Sequence, residues 1–201
     1  PYLTARQLTV AGKPAWAQRV SYVGELGWEL YLANTDAGAV WDALIELGQA
    51  HGIRPAGYKA LDSLRLEKGY VYWSTDVTPE DNLLEAGMGF CADMAKGDFI
   101  GRDALAKRKA DGLQSRLRTV VLEGNALPAY GAESVWHDDQ IVSRLRSAGH
   151  AHTIDRSIAY CYLPLPLAKP GTEVEIELFG ERVPAKVTLP THDPKGTRLK
   201  V

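Results

Sequence analysis

Tyr22 and Glu29 stand seven residues apart on either side of a glycine-bounded stretch, Gly24-Glu25-Leu26-Gly27. An ionised carboxylate is acceptor-only and can take two side-by-side N–H donors at once, while a tyrosine offers a ring face and a hydroxyl. Residues 28–32 read as a strand, so alternation sends Glu29 to the face opposite Trp28 and Leu30. On the residue pattern alone, Glu29 reads as the polar side of an edge strand. Other chemistry-bearing residues are more dispersed. His150-Ala151-His152 would put two imidazoles on one strand face, but the sequence sets no carboxylate or cysteine beside them, and no metal site is assigned. Arg116, Arg118, Arg144 and Arg146 alternate on strands and read as a solvated face. The chain has no Rossmann glycine fingerprint, P-loop, HExxH, CxxC or GxSxG.

The elements that position these residues follow from periodicity and turn chemistry. Residues 6–10 and 15–22 read as strands joined by the turn Ala11-Gly12-Lys13-Pro14. Residues 36–50 form an amphipathic helix with Val40, Trp41, Leu44, Ile45 and Leu47 on one side, Thr35 as its cap and Gly52 as its stop. A second helix spans about 58–68 and stops at Gly69. Residues 70–82 lack periodicity and read as an ordered loop, 90–94 as a short strand and 101–110 as a basic helix. Six short strands then follow at 119–123, 133–137, 140–147, 157–163, 173–179 and 182–189, with Gly180-Glu181 as a two-residue hairpin turn. That pattern predicts a small antiparallel barrel or sandwich after an α+β segment.

Five strings then acquire meaning together. Tyr22-Val23-Gly24-Glu25-Leu26-Gly27-Trp28-Glu29 is followed by Gly52-Ile53-Arg54-Pro55-Ala56-Gly57 and by Leu64-Arg65-Leu66-Glu67-Lys68-Gly69. Leu84-Glu85-Ala86-Gly87 and Asp98-Phe99-Ile100-Gly101-Arg102 complete the series. In this order and spacing the sequence resembles the glycine-cleavage T-protein (aminomethyltransferase) family, from about residue 6 to the C-terminus. The resemblance implies an α+β fold: residues 1–112 as the second half of a folate-binding domain, and residues 113–201 as a C-terminal antiparallel β-barrel. It also implies that Tyr22 and Glu29 line a pterin pocket and bind tetrahydrofolate. The chemistry agrees, because the pyrimidine edge of a pterin offers an amino group and a neighbouring ring N–H, the donor pair that suits Glu29.

One departure directs the reading further. Glycine-cleavage enzymes carry an Arg before the Asp of a Gly-Leu-x-Ala-Arg-Asp segment, and here Gly57-Tyr58-Lys59-Ala60-Leu61-Asp62 has Leu61 in that place. The replacement resembles the folate regions of dimethylglycine and sarcosine dehydrogenases, as do Glu67-Lys68-Gly69-Tyr70 with Trp73, and Asp193-Pro194-Lys195-Gly196 before Arg198-Leu199. His192 stands where that branch has an aromatic residue. The implied function is one-carbon transfer to tetrahydrofolate, within a dehydrogenase whose FAD lies outside this chain. The alternatives are a glycine-cleavage aminomethyltransferase, or a non-catalytic folate-binding or partner-binding member of the fold. The family's acid/base aspartate precedes the Tyr-x-Gly-Glu motif. No catalytic residue is therefore assigned here, with Asp62, Asp76 and Asp98 unmarked as bases, and the chain alone is expected to be inactive.

Composition sets the outer bounds. The 201 residues are 45% hydrophobic and 24% charged, with a formal net charge of -2. That balance gives no reason to expect a nucleic-acid partner, and no apolar run approaches a membrane span. Cys91 and Cys161 sit in apolar surroundings and are expected to be buried thiols in a reducing compartment, cytoplasmic or, in a eukaryote, the mitochondrial matrix. A start at Pro1-Tyr2-Leu3 leads to the expectation of a piece of a longer protein, whose partner is the missing N-terminal part of its own chain.

Overall fold

A tight turn at Ala11 and Gly12, at φ 49° and 75°, folds the first two strands against each other. Two left-handed residues in succession match the twist of a two-residue hairpin, which is why a glycine is useful there. β1 (Ala5–Val10) pairs with β2 (Lys13–Gln18), and β2 with β3 (Glu29–Tyr31), all antiparallel in the order β1-β2-β3. The computed structural model describes residues 1–124 and 129–189 of the chain. The segment Asp193 to Gly196, Arg198, Leu199 and the neighbouring His192 lie outside the described residues.

The chain divides into two compact units, the first holding Pro1–Leu64 and the second beginning at Arg65. In the first, the sheet is followed by α1 (Asn34–Gly48), a short 3-10 turn at Gln49–His51 and the start of α2 (Tyr58–Lys68). Gly52 ends the 3-10 turn at φ 74°, as the sequence anticipates. Thr35 is not the cap of α1. Ala33 holds that position in an extended conformation without a side-chain bond, because the helix begins at Asn34 and takes Thr35 into its first turn. Lys13 Nζ instead anchors Asp36 of that turn at 2.9 Å. The apolar stripe of α1 is mostly bare: Val40 is buried, while Trp41 is 56% and Leu47 73% exposed.

The second unit is built on a closed barrel ordered β4-β7-β6-β5-β8-β9. Its strands are β4 (Ser115–Leu122), β5 (Ser134–His137), β6 (Gln140–Ala151), β7 (Arg156–Pro164), β8 (Glu173–Leu178) and β9 (Glu181–Thr188). Every neighbouring pair is antiparallel. Glu173-Val174-Glu175-Ile176-Glu177-Leu178 alternates as the sequence predicts, with Val174, Ile176 and Leu178 buried and the glutamates outside. Full closure leaves no free edge, and bulges in β5 and β6 supply local bends. β6 runs to Ala151, four residues past its expected end, because β7 continues to pair with it through Ala151 and Arg156.

β7 is buried on both faces and carries two cores. Ala159, Cys161 and Leu163 face inward with Val120, Leu122, Val135, Leu145 and Ile176. Ile158 and Tyr160 face outward and pack with Leu117, Ala151 and Leu66 of α2. Burial pushes the Cys161 thiol up to about 12, so it stays protonated at neutral pH. Cys91 is exposed, contrary to the expectation of two buried thiols, because its segment lies in an open stretch between elements. That stretch forms a 3-10 turn at Gly89–Cys91 where a strand is expected; the amide of Cys91 bonds back to Met88 and finds no strand partner. α3 (Arg102–Asp111) matches the expected basic helix. The β8–β9 turn centres on Phe179 and Gly180, at φ 51° and 86°, rather than on Gly180 and Glu181. Glu181 already pairs with Leu178, and that register moves the turn back by one residue.

Candidate functional site

The loop between β2 and β3 is held by short local bonds. Ser21 Oγ accepts from the amides of Val23 at 3.3 Å and Glu25 at 3.1 Å, an arrangement that rounds off the turn. Arg19 donates to the carbonyl of Gly27 at 3.1 Å, and its guanidinium lies 5.7 Å from the centre of the Trp28 ring. A Cβ on Gly27 would meet the Val20 carbonyl at 2.8 Å, so only glycine lets the two arms of the loop approach this closely. The second motif glycine is therefore required by the loop itself, just before the carboxylate.

That loop delivers Glu29 to the start of β3. Leu30 lies opposite Ala17, which is buried, so Glu29 and Tyr31 share the other, exposed face. On this face Glu29 is opposite Gln18, and Tyr31 is opposite Trp16. Tyr31 Oη donates to Glu29 Oε2 at 2.6 Å, a charge-assisted bond that fixes one carboxylate oxygen and leaves acceptor capacity on the group. The bond, followed by the negative charge of Glu29 and a small burial effect, raises the Tyr31 hydroxyl above the ordinary tyrosine value. Tyr22 is half-buried in the loop that precedes Glu29. A shallow hollow of about 480 Å³ opens on the same sheet, lined in part by Gln7, Thr9, Pro14, Trp16 and Tyr31; Glu29 and Tyr22 are not among its lining residues. Its size lies within the range of small-molecule sites. Tyr31 escaped the sequence reading, although its i, i+2 relation to Glu29 on a strand was a sufficient signal.

Other motif residues turn out to hold the second unit together. Arg65 is 2% exposed and Asp76 fully buried; Arg65 Nη1 meets Asp76 Oδ2 at 2.6 Å. Arg65 also donates to Ser147 Oγ at 2.7 Å and to the Tyr70 carbonyl at 3.0 Å, and it lies 4.0 Å over the Tyr72 ring. Asp76 accepts further from the amides of Tyr72 and Ser147. Within the second unit the pair thus ties the last turn of α2, the ordered loop after it and barrel strand β6 together. Glu85, from another motif, accepts from the amides of Gln114 and Ser115 at the entry to β4. Leu61 is half-buried in α2.

His150 and His152 do come together, with ring centres 4.8 Å apart, and His150 Nε2 lies 3.1 Å from Asp155 Oδ1. The sequence did not place that carboxylate beside them, because the turn after β6 brings it back. Among the described residues no group of three or more His, Cys, Asp or Glu side chains is arranged to hold a metal ion. No helix among the described residues is long and apolar enough to cross a membrane.

Comparison with known proteins gives the same answer at both ends of the chain. Residues 1–96 match the family model described as the GCVT N-terminal domain, and residues 116–192 match the glycine cleavage T-protein C-terminal barrel domain. The crystal structure of glycine cleavage system aminomethyltransferase T from Bartonella henselae shares the fold, with a TM-score of 0.83 at 23% identity over 94% of this chain and 52% of that one. The chain belongs to the glycine-cleavage T-protein (aminomethyltransferase) family. Human mitochondrial dimethylglycine dehydrogenase is 38% identical over 203 residues, which take in 99% of this chain and 23% of that protein. Mouse mitochondrial sarcosine dehydrogenase is 37% identical over 209 residues, with 100% and 23% covered. Bacterial aminomethyltransferases also match, with about half of their length covered. The chain thus spans about a quarter of the dehydrogenases it resembles.

Proposed function

We propose that this chain supplies the pterin-facing carboxylate of a tetrahydrofolate-dependent one-carbon transfer protein, and that the whole protein is an N-methylamine dehydrogenase of the dimethylglycine or sarcosine type. The observation that carries the reading is Glu29: an exposed carboxylate, pinned on one oxygen by Tyr31, at the end of a Tyr-x-Gly-Glu-x-Gly-Trp-Glu loop. Its acceptor-only chemistry fits the paired donors of a pterin edge. In this reading Tyr22, from the loop before Glu29, offers its ring or hydroxyl to the same pterin. Tyr31 limits the rotation of the carboxylate and so lowers the ordering cost when the ligand binds. The similarity to dimethylglycine and sarcosine dehydrogenases, and Leu61 in place of an arginine, favour the dehydrogenase branch.

In this reading tetrahydrofolate receives the one-carbon unit released from an oxidised N-methyl amine, and FAD bound outside this chain supplies the oxidation. The residues present here bind and orient; the chain contributes no proton-transfer group, and by itself it is inactive. The compartment belonging to this reading is cytoplasmic, or the mitochondrial matrix in a eukaryote; the human and mouse relatives are named as mitochondrial.

The test is a product assay on the full-length protein supplied with dimethylglycine or sarcosine and tetrahydrofolate. Glu29→Ala should leave amine oxidation unchanged but divert the carbon to free formaldehyde, with at least roughly tenfold less folate product. Equal folate product in variant and wild type would remove Glu29 from the site. Turnover of an aminomethylated carrier instead of the free amine would favour the glycine-cleavage reading.

A further inference from the structure

At the rim of the barrel are two arginines that meet no carboxylate among the described residues. Arg116 and Arg118 open β4 on the side that further along carries Val120 and Leu122 in the barrel interior. Their cross-strand neighbours on β7 are Leu163 and Cys161, both fully buried. The described pairing of β9 with β4 stops at Thr119 and Thr188, so both arginines stand beyond it. Two guanidinium stems thus leave an apolar barrel end side by side.

Neither arginine simply extends into solvent. Arg118 Nε donates to the Ala168 carbonyl at 2.7 Å and Nη1 to the Leu117 carbonyl at 3.1 Å, and Nη2 has no hydrogen-bond partner among the described residues. Arg116 Nε is buried and has no hydrogen-bond partner among the described residues. Lys169, exposed, follows directly on Ala168, whose carbonyl holds Arg118. Glu85, the carboxylate that reaches the start of β4, is taken by the amides of Gln114 and Ser115. Burial, and then the charge of Arg116, lower the Arg118 guanidinium below its ordinary value.

A solvated strand face would explain arginines that reach into water with their polar atoms hydrated. It does not explain a buried, unmet Nε or two backbone clips that aim a guanidinium beside a like charge. A buried donor without a partner is costly, and planar guanidinium forks match the two-oxygen edge of carboxylates and phosphates. We propose that Arg116 and Arg118 form a binding site, at the rim of the barrel, for an oxyanion: the carboxylate or phosphate group of a small molecule. The site is independent of the Glu29 reading, since it takes an anion where Glu29 takes donors.

Arginine Nε–Hε NMR spectra of the intact 201-residue chain test it. Inorganic phosphate and glutarate are titrated separately at constant ionic strength. The Arg116 and Arg118 signals should move and saturate with at least one of the two, at roughly millimolar concentration. Stronger saturation by phosphate points to a phosphoryl ligand, and by glutarate to a carboxylate. Followed on Arg118, the affinity should fall roughly tenfold or more in Arg116→Gln and less in Arg116→Lys. Arg156→Gln, elsewhere on the barrel, should leave it unchanged. The proposal is overturned by signals that neither anion moves, that fail to saturate, or that respond identically in Arg116→Gln.

Discussion

At the scale of the residue, the central contact is one hydrogen bond, from Tyr31 to Glu29. The neutral hydroxyl donates to a carboxylate, and the phenolate would lose that bond and face a like charge, so ionisation is deferred to higher pH. Folded chain therefore keeps a proton that unfolded chain releases near the ordinary tyrosine value. The contribution of this pair is present below about pH 10 and is lost as the pH rises through the higher folded value. Ultraviolet titration of the chain should show Tyr162 ionising late through its burial, and Tyr31 ionising late through Glu29. Glu29→Gln should bring Tyr31 back to the ordinary range, whereas an unchanged late Tyr31 would assign the effect to burial. Glu29 itself was legible in the sequence because its glycine loop is a recognisable string. Tyr31 was not picked out, since a tyrosine in a strand is usually packing, although alternation alone puts it on the face of Glu29.

At the scale of the element, helices and barrel strands were legible because their periodicity is strong. α2 matches its expected span at both ends, where Gly69 at φ 87° stops it. The misses have a common physical cause. The strand expected at 90–94 and the Phe179-Gly180 turn were decided by which backbone groups found partners, and single-sequence patterns do not report partners. The Leu64-to-Gly69 string marked the family, but its job shows only in three dimensions: Arg65 and Asp76 are a buried ion pair completed by Ser147. Breaking such a pair strands a charge, so Arg65→Met should cost about 3–5 kcal/mol in urea unfolding of the intact chain. A joint Arg65→Met and Asp76→Leu change should recover part of that loss, since no charge is then left behind. Full stability in the single variant would show that the pair is not the tie described.

At the scale of the molecule, the two units differ in how much they bury. The barrel unit fills both sides of β7, whereas Pro1–Leu64 buries Ala15, Ala17 and Val40 and leaves Leu26, Trp28, Trp41, Leu47 and Tyr58 more than half exposed. A sheet and helix with so little core are usually one layer of a larger domain. That fits a chain covering about a quarter of its dehydrogenase relatives, and it is why folate binding is claimed for the whole protein. Binding calorimetry with 5-formyltetrahydrofolate on the full-length protein addresses the claim most directly. Wild type should bind, and Glu29→Ala should bind at least roughly tenfold more weakly, the loss expected when two donors of the ligand are left without their charged acceptor. Equal affinity in the two proteins would contradict the account.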